Sequence, residues 1–223
     1  AKKTKKITNF KMINNKIYQK RFILKRERNS VWQILVSNFF QKYINLKDTV
    51  LDLPSGYCEF INNIKCKKKI AIDINPDGKK YANRNVIFIK ATSTNTSLES
   101  NSVDKIFVSN FFEHISRDEI AKTIKEFKRI LRKGGEVLIL QPDIRFCWKN
   151  YWMFFDHITP IDCRAVEART GWPDSDKKVE ITRFLPYTMK SNLPKNQLII
   201  KTYLKIPIFW KLFGQQSFLI FKK

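Results

Sequence analysis

The chain has two histidines, and each follows an acid: Glu113-His114 and Asp156-His157. Imidazole titrates near neutral pH and can take a proton from a hydroxyl as that oxygen attacks. These pairs are therefore the candidates for base chemistry, with His157 first, then His114, and Asp156 beside them. His157 closes an aromatic run over 145–161 that includes Phe146, Trp148, Tyr151, Trp152, Phe154 and Phe155. Such a run can wall an acceptor pocket and stack on a sugar face, or simply pack as core. A second set of residues stands at the ends of apolar runs. Asp52-Leu53-Pro54-Ser55-Gly56-Tyr57-Cys58 follows the first, and Asp73-Ile74 ends the second. Thr92 lies just past the third, and Asn110-Phe111 past the fourth. A carboxylate at Asp73 can accept hydrogen bonds from two vicinal hydroxyls of a ribose, or cap the Asn-Pro-Asp-Gly turn. Asp52 is placed to orient the loop or to meet an amino group through water.

The elements that must position these residues are legible from periodicity. Apolar strands are expected at 49–53, 69–74, 86–89, 103–108 and 136–140, with helical stretches between them. Strands apolar along their whole length, alternating with helices, indicate a parallel sheet covered on both faces. Ser116-Arg-Asp-Glu119 is a capping box. Ile120, Ile124, Phe127 and Leu131 mark one helical face, and Lys133-Gly134-Gly135 is the expected stop. Asn29-Ser30 caps an earlier helix. A short helix is expected over 162–169, and strands at 178–184 and 216–221, the last one antiparallel. Between those two strands, 193–213 is apolar and punctuated by lysines, with Pro207 dividing any helix there in two. In an open α/β sheet, ligands bind outside the carboxyl ends of the strands, so the strand-end residues named above, with Phe111 to His114, are expected to flank one crevice.

Four strand-end motifs carry a resemblance. VLDLPSGYCEF, AIDINPD, SVDKIFVSNFFEHI and IKEFKRILRKGGEVLILQPDIRF resemble, in order, the motifs of class I S-adenosylmethionine-dependent methyltransferases. The likeness runs from about residue 48 to 145. It implies a Rossmann-like doubly wound, mostly parallel α/β sheet with an N-terminal helical lid and an insertion before the last strand. It also implies S-adenosyl-L-methionine as cofactor, bordered by Asp52, Leu53, Pro54, Gly56, Cys58, Asp73, Ile74, Thr92, Asn110 and Phe111. The downstream YWMFFDHITPI and RFLPYT resemble methyltransferases that accompany glycosyltransferases in bacterial surface-polysaccharide clusters. This implies a small-molecule or lipid-linked glycan acceptor, methylated at a sugar hydroxyl. One departure stands out: where the family has glycines, the first motif has Pro54, Gly56 and Cys58. Glycine lets backbone pass close to the cofactor, so a non-catalytic binding module of the same fold is an alternative.

Composition narrows the remaining choices. A 43% hydrophobic content is enough for a substantial core and excludes wholesale disorder. The four cysteines show no CxxC spacing, so reduced thiols in a cytoplasm, and no metal site, are expected. AKKTKK at the start has no apolar stretch behind it, so a secretory leader is not expected. The division expected is a basic arm and N-terminal helix over 1–46, then a methyltransferase domain over 47–223. Within that domain, 47–141 forms the cofactor half and 142–223 the acceptor-side and C-terminal elements. The net charge of +23 is concentrated at the ends, with eleven Lys/Arg against Glu27 in 1–28 and ten against Glu180 in 177–223. Such ends suit an anionic surface: peripheral contact with an anionic membrane, or nucleic acid. Against nucleic acid, Ser109-Asn-Phe-Phe stands where a base-holding Asn/Asp-Pro-Pro-Tyr tetrapeptide would be.

Overall fold

The computed structural model describes residues 25–170, 177–186 and 196–223; of the basic arm expected over 1–28, residues 1–24 lie outside them and Lys25 to Arg28 begin a helix. One seven-stranded sheet organises these residues. Its strands are Thr49–Asp52 (β1), Lys68–Asp73 (β2), Val86–Lys90 (β3), Val103–Ser109 (β4), Leu131–Pro142 (β5), Lys177–Ile181 (β6) and Gln216–Lys222 (β7). The spatial order is β3-β2-β1-β4-β5-β7-β6. The first five run parallel. β7 returns antiparallel to β5, and β6 pairs antiparallel with β7. The order reverses between β1 and β4, which opens the crevice where this architecture places its ligands.

Alternate residues of each strand feed two apolar layers. Leu51, Ile70, Ile72, Ile106 and Val108 face the helix Arg117–Ile130 (α3) through Ile120, Ile124, Phe127 and Ile130. Val166 of Cys163–Thr170 (α5) joins the same side. Val50, Ala71, Phe107, Leu138 and Phe218 face the other way. They meet Lys25–Asn38 (α1) through Ile34 and Leu35, and Glu59–Asn63 (α2) through Phe60 and Ile61. Aromatic rings fill that second layer. Phe60 stacks on Phe107 with centroids 3.7 Å apart, and Phe39 lies 4.0 Å from Phe184. Truncating such a ring to alanine costs about 3–5 kcal/mol.

The capping box forms as expected: Glu119 N–H donates to Ser116 Oγ, and Ser116 N–H to Glu119 Oε2. The helix stop differs from expectation. α3 ends at Ile130, and Leu131 already pairs with Val103 as the first residue of β5. The pairing then jumps to Lys105 with Glu136, so the Lys133-Gly134-Gly135 stretch forms a bulge within the strand and does not close a helix. Gly134 still supplies a left-handed backbone, at φ +78°. The fully buried Leu131 side chain explains the early end, because an extended backbone there delivers it to the core.

Past β5, Ile144–Tyr151 (α4) leads into the aromatic run. Pro207 does divide the later segment, as the first residue of Pro207–Phe213 (α7) after Gln197–Lys205 (α6). No helix among the described residues is long and apolar enough to cross a membrane.

Candidate active site

The cofactor edge is a set of interlocked strand ends. Gly56, at φ +50°, donates its N–H to Asp73 Oδ2 at 2.8 Å, and Asn75 N–H donates to Oδ1 at 2.8 Å. Asp73 thus ties the loop after β1 to the turn after β2, and it caps that turn as well as facing the crevice. Its carboxyl is raised by burial, which those N–H groups oppose. Each oxygen keeps a further lone pair for a hydroxyl. Ser55 N–H reaches the Ile72 carbonyl, and Leu53 N–H the Phe107 carbonyl, so the loop is sewn to both neighbouring strands. At Gly78 a Cβ would come within 3.0 Å of the Gly56 carbonyl and 2.7 Å of Phe88. Glycine there lets the second turn close against the first.

Two expected cofactor contacts can act through backbone only. Leu53 is buried, with its side chain in the apolar layer below α3. Cys58 is also buried, its Sγ 3.8 Å from the Gly78 carbonyl, and burial pushes its thiol up to about 12. It caps α2 from a left-handed backbone at φ +60°, the conformation a glycine would supply without strain. Pro54 precedes it in a cis peptide with Leu53 and is partly exposed. Asp52 is buried, its acid raised well above the usual range by burial first and by Glu59 and Asp73 next. Arg28 of α1 pairs with Glu59 at 2.8 Å and so fastens the N-terminal helix over this loop.

The other expected residues line the same edge. Ile74 is 67% exposed just past Asp73, an apolar surface left open to a ring. Thr92 is exposed beyond β3, with its hydroxyl on Thr94 at 3.2 Å. Asn110 sits at φ +47° with its N–H on the Leu140 carbonyl, and Phe111 is partly buried beside Phe112. Ser55 Oγ and Asn110 Oδ1 are buried without a hydrogen bond among the described residues. These atoms, the Gly56 loop and the Asp73 lone pairs fit a ligand that brings hydroxyl and amino donors, as adenosylmethionine does.

A second cluster stands past the carboxyl end of β4, where the chain after α4 returns to it. His114 Nδ1 lies 3.1 Å from the Asp156 carbonyl and 3.3 Å from its carboxylate. The His114 and His157 rings are edge to face with centroids 4.9 Å apart. His157 stacks on Phe154 and meets the edge of Tyr151. The fold thus brings His114, Asp156 and His157 into one neighbourhood, though 43 positions separate the histidines.

Glu113 was missed. It is fully buried, neither carboxylate oxygen has a hydrogen bond among the described residues, and Oε1 lies 3.8 Å from His114 Nε2. Burial raises its acid, with His114 pulling the other way. Its backbone carbonyl accepts from Ile158 and Thr159 N–H, which hold the returning loop onto β4. The signal available was the dipeptide itself, an acid beside a histidine just past an apolar strand.

Tyr151 needs correcting as a wall for a sugar. It is wholly buried, donates its hydroxyl to the Thr159 carbonyl at 2.6 Å and accepts from Ile161 N–H. Trp148, Trp152 and Phe155 are the exposed aromatics of the run.

A doubly wound sheet with its crevice at the β1–β4 switch, an acid at the end of β2 and a glycine loop after β1 defines the class I methyltransferase fold. Residues 51–139 match the family described as methyltransferase domain. Among solved structures the chain resembles an S-adenosylmethionine-dependent methyltransferase from Archaeoglobus fulgidus, at 19% identity and TM-score 0.64, covering 87% of this chain and 94% of that one. A candidate methyltransferase from Bacillus halodurans is similar at 13% identity and TM-score 0.60, over 86% of this chain and 98% of that one. Geranyl diphosphate methyltransferase, in complex with its diphosphate and sinefungin, is similar at 13% identity and TM-score 0.56, over 86% and 76%. No curated protein sequence matches.

Proposed function

We propose that the enzyme methylates a sugar hydroxyl of a glycan precursor, held by a lipid at an anionic membrane surface. The hydroxyl oxygen attacks the sulfonium methyl in line, the carbon–sulfur bond breaks, and S-adenosylhomocysteine, a methyl ether and a proton result. Positioning supplies most of the acceleration in such a displacement, and the proton needs an acceptor. The observation that carries the proposal is the imidazole–carboxylate cluster of Glu113, His114, Asp156 and His157 at the acceptor edge. Trp152, which meets Tyr151 beside His157, is exposed, as are Trp148 and Phe155 of the same run, and their flat faces suit a sugar ring.

The membrane part rests on α6 and α7. Leu198, Ile199, Ile206, Ile208, Leu212 and Phe213 are exposed there, with Lys201, Lys205 and Lys211 among them. Apolar side chains flanked by cations suit an anionic interface. α7 leads directly into β7, whose first residue, Gln216, pairs with Pro142 at the carboxyl end of β5.

The test gives the purified enzyme a methyl-labelled donor with three acceptor pools: lipid-linked glycans, free nucleotide sugars and nucleic acid. Base-stable label in the glycan lipids is expected. His157→Ala should lower turnover about 100-fold with donor affinity near wild type. Label confined to nucleic acid would overturn the acceptor assignment.

A further inference from the structure

Glu113, His114 and His157 each present one ligand atom, and the three atoms lie within 4.8 Å of one another. A tetrahedral ion with donors at ~2.0–2.1 Å holds its ligands roughly 3.3 Å apart. Glu113 Oε1 and His114 Nε2 stand at 3.8 Å and no pair is more than 4.8 Å apart, so closing on an ion draws the ligand atoms together by about 0.5–1.5 Å. We infer that this cluster is a binding site for a divalent transition-metal ion of the zinc type, formed by Glu113, His114 and His157.

The burial of Glu113 points to the ligand independently. Its side chain is fully inaccessible, and both oxygens lack a hydrogen bond among the described residues. A buried carboxylate in that condition is costly unless a cation meets it. The neighbouring groups are arranged as metal ligands are. With a proton on His114 Nδ1, donated toward the Asp156 carbonyl and carboxylate, the Nε2 lone pair points to Glu113. A carboxylate behind a histidine that orients its ring and raises its basicity is the usual support of a histidine–metal bond. His157 is held against Phe154 and Tyr151, so its ring is already fixed.

The sequence pointed away from a metal because its cysteines lack ligand spacing and it has only two histidines; the fold assembles a set without cysteine. Two imidazoles and one carboxylate leave a fourth position open. An oxygen bound there would have its pKa lowered by the ion. This deepens the proposed methyl transfer by naming what activates the hydroxyl, but binding requires neither donor nor acceptor.

The experiment is calorimetric titration of the chelator-stripped full chain with Zn²⁺ alone, supported by the visible spectrum of Co²⁺ as a probe of tetrahedral coordination. One Zn²⁺ per chain, bound at micromolar or tighter concentration and raising the melting temperature, is expected. Glu113→Gln and His157→Asn should each weaken binding more than tenfold, and Asp156→Asn by about 10–100-fold. Cys66→Ser, which removes the most accessible thiol, should leave it unchanged. His114→Ala alters a partly exposed side chain and serves as the ligand variant least able to disturb folding. Millimolar binding only, unaltered binding in Glu113→Gln and His114→Ala, or loss of binding in Cys66→Ser would each overturn the site. Because no methyl donor or acceptor enters the titration, either proposal can fail without the other.

Discussion

Asp73 does two jobs with one carboxylate, and the structure shows which comes first. Both oxygens already accept backbone N–H groups, from Gly56 and Asn75, so the side chain holds the cofactor loop before any ribose arrives. Asp73→Ala should therefore weaken adenosylmethionine binding by about 1–3 kcal/mol, the cost of leaving polar groups without partners. Cys58 makes the contrast. Its thiol is buried, with Sγ 3.8 Å from the Gly78 carbonyl. Cys58→Gly should keep donor affinity within about twofold of wild type, because a glycine relieves the left-handed backbone without altering what the cofactor meets. Calorimetry with adenosylmethionine checks both. A folded Asp73→Ala protein with undiminished affinity would remove Asp73 from the site. A large loss in Cys58→Gly would mean that the loop geometry depends on the thiol.

At the scale of elements, α3 is anchored to the segment after β3 through one carboxylate. Glu126 accepts from Thr96 N–H at 2.9 Å, Thr96 Oγ at 2.6 Å and Arg129 Nε at 2.8 Å. The Arg129 guanidinium, with Thr96, holds the Glu126 acid down at about 2 although burial opposes it. A depressed acid stabilises the fold above its ordinary titration range near 4.5, and that contribution is lost as pH falls toward 2. Glu126→Gln should lower stability at neutral pH by about 1–3 kcal/mol, with the gap between variant and wild type shrinking on acidification. Denaturant melts across that pH range measure it. A gap that does not change with pH would show that the ionised form contributes nothing beyond its shape. The capping box and the α3 apolar face were legible in sequence because both depend on spacing within one helix. Where α3 ends was not, since the burial of Leu131 against other elements outweighed the glycine pair.

For the whole molecule, charge and exposed apolar surface should act together. The lysines of α6 and α7 stand beside Leu198, Ile208 and Leu212, on a protein of net charge +23. Sedimentation with vesicles should show binding to anionic lipid, less to neutral lipid, and release by high salt. Replacing Leu198, Ile208 and Leu212 together by serine should abolish it while leaving the melting temperature near wild type, because these side chains are exposed. Protein that stays in the supernatant with anionic vesicles at low salt would remove the membrane from the proposed function.

Local pattern was sufficient for the strands, for their alternation with helices and for the four strand ends that meet at the crevice. Each of those features depends on neighbours a few positions apart, and a parallel sheet then fixes which end carries the site. Pro207 likewise divided α6 from α7 by a purely local rule. What the chain did not disclose lies between residues far apart in sequence. The closed site around Cys58, the burial of Tyr151 and the meeting of Glu113 and His114 with His157 exist because loops after different strands pack together. Tertiary packing alone decided which acid lost its water, and at Glu113 that desolvation turns an ordinary dipeptide into the strongest chemical feature of the acceptor edge.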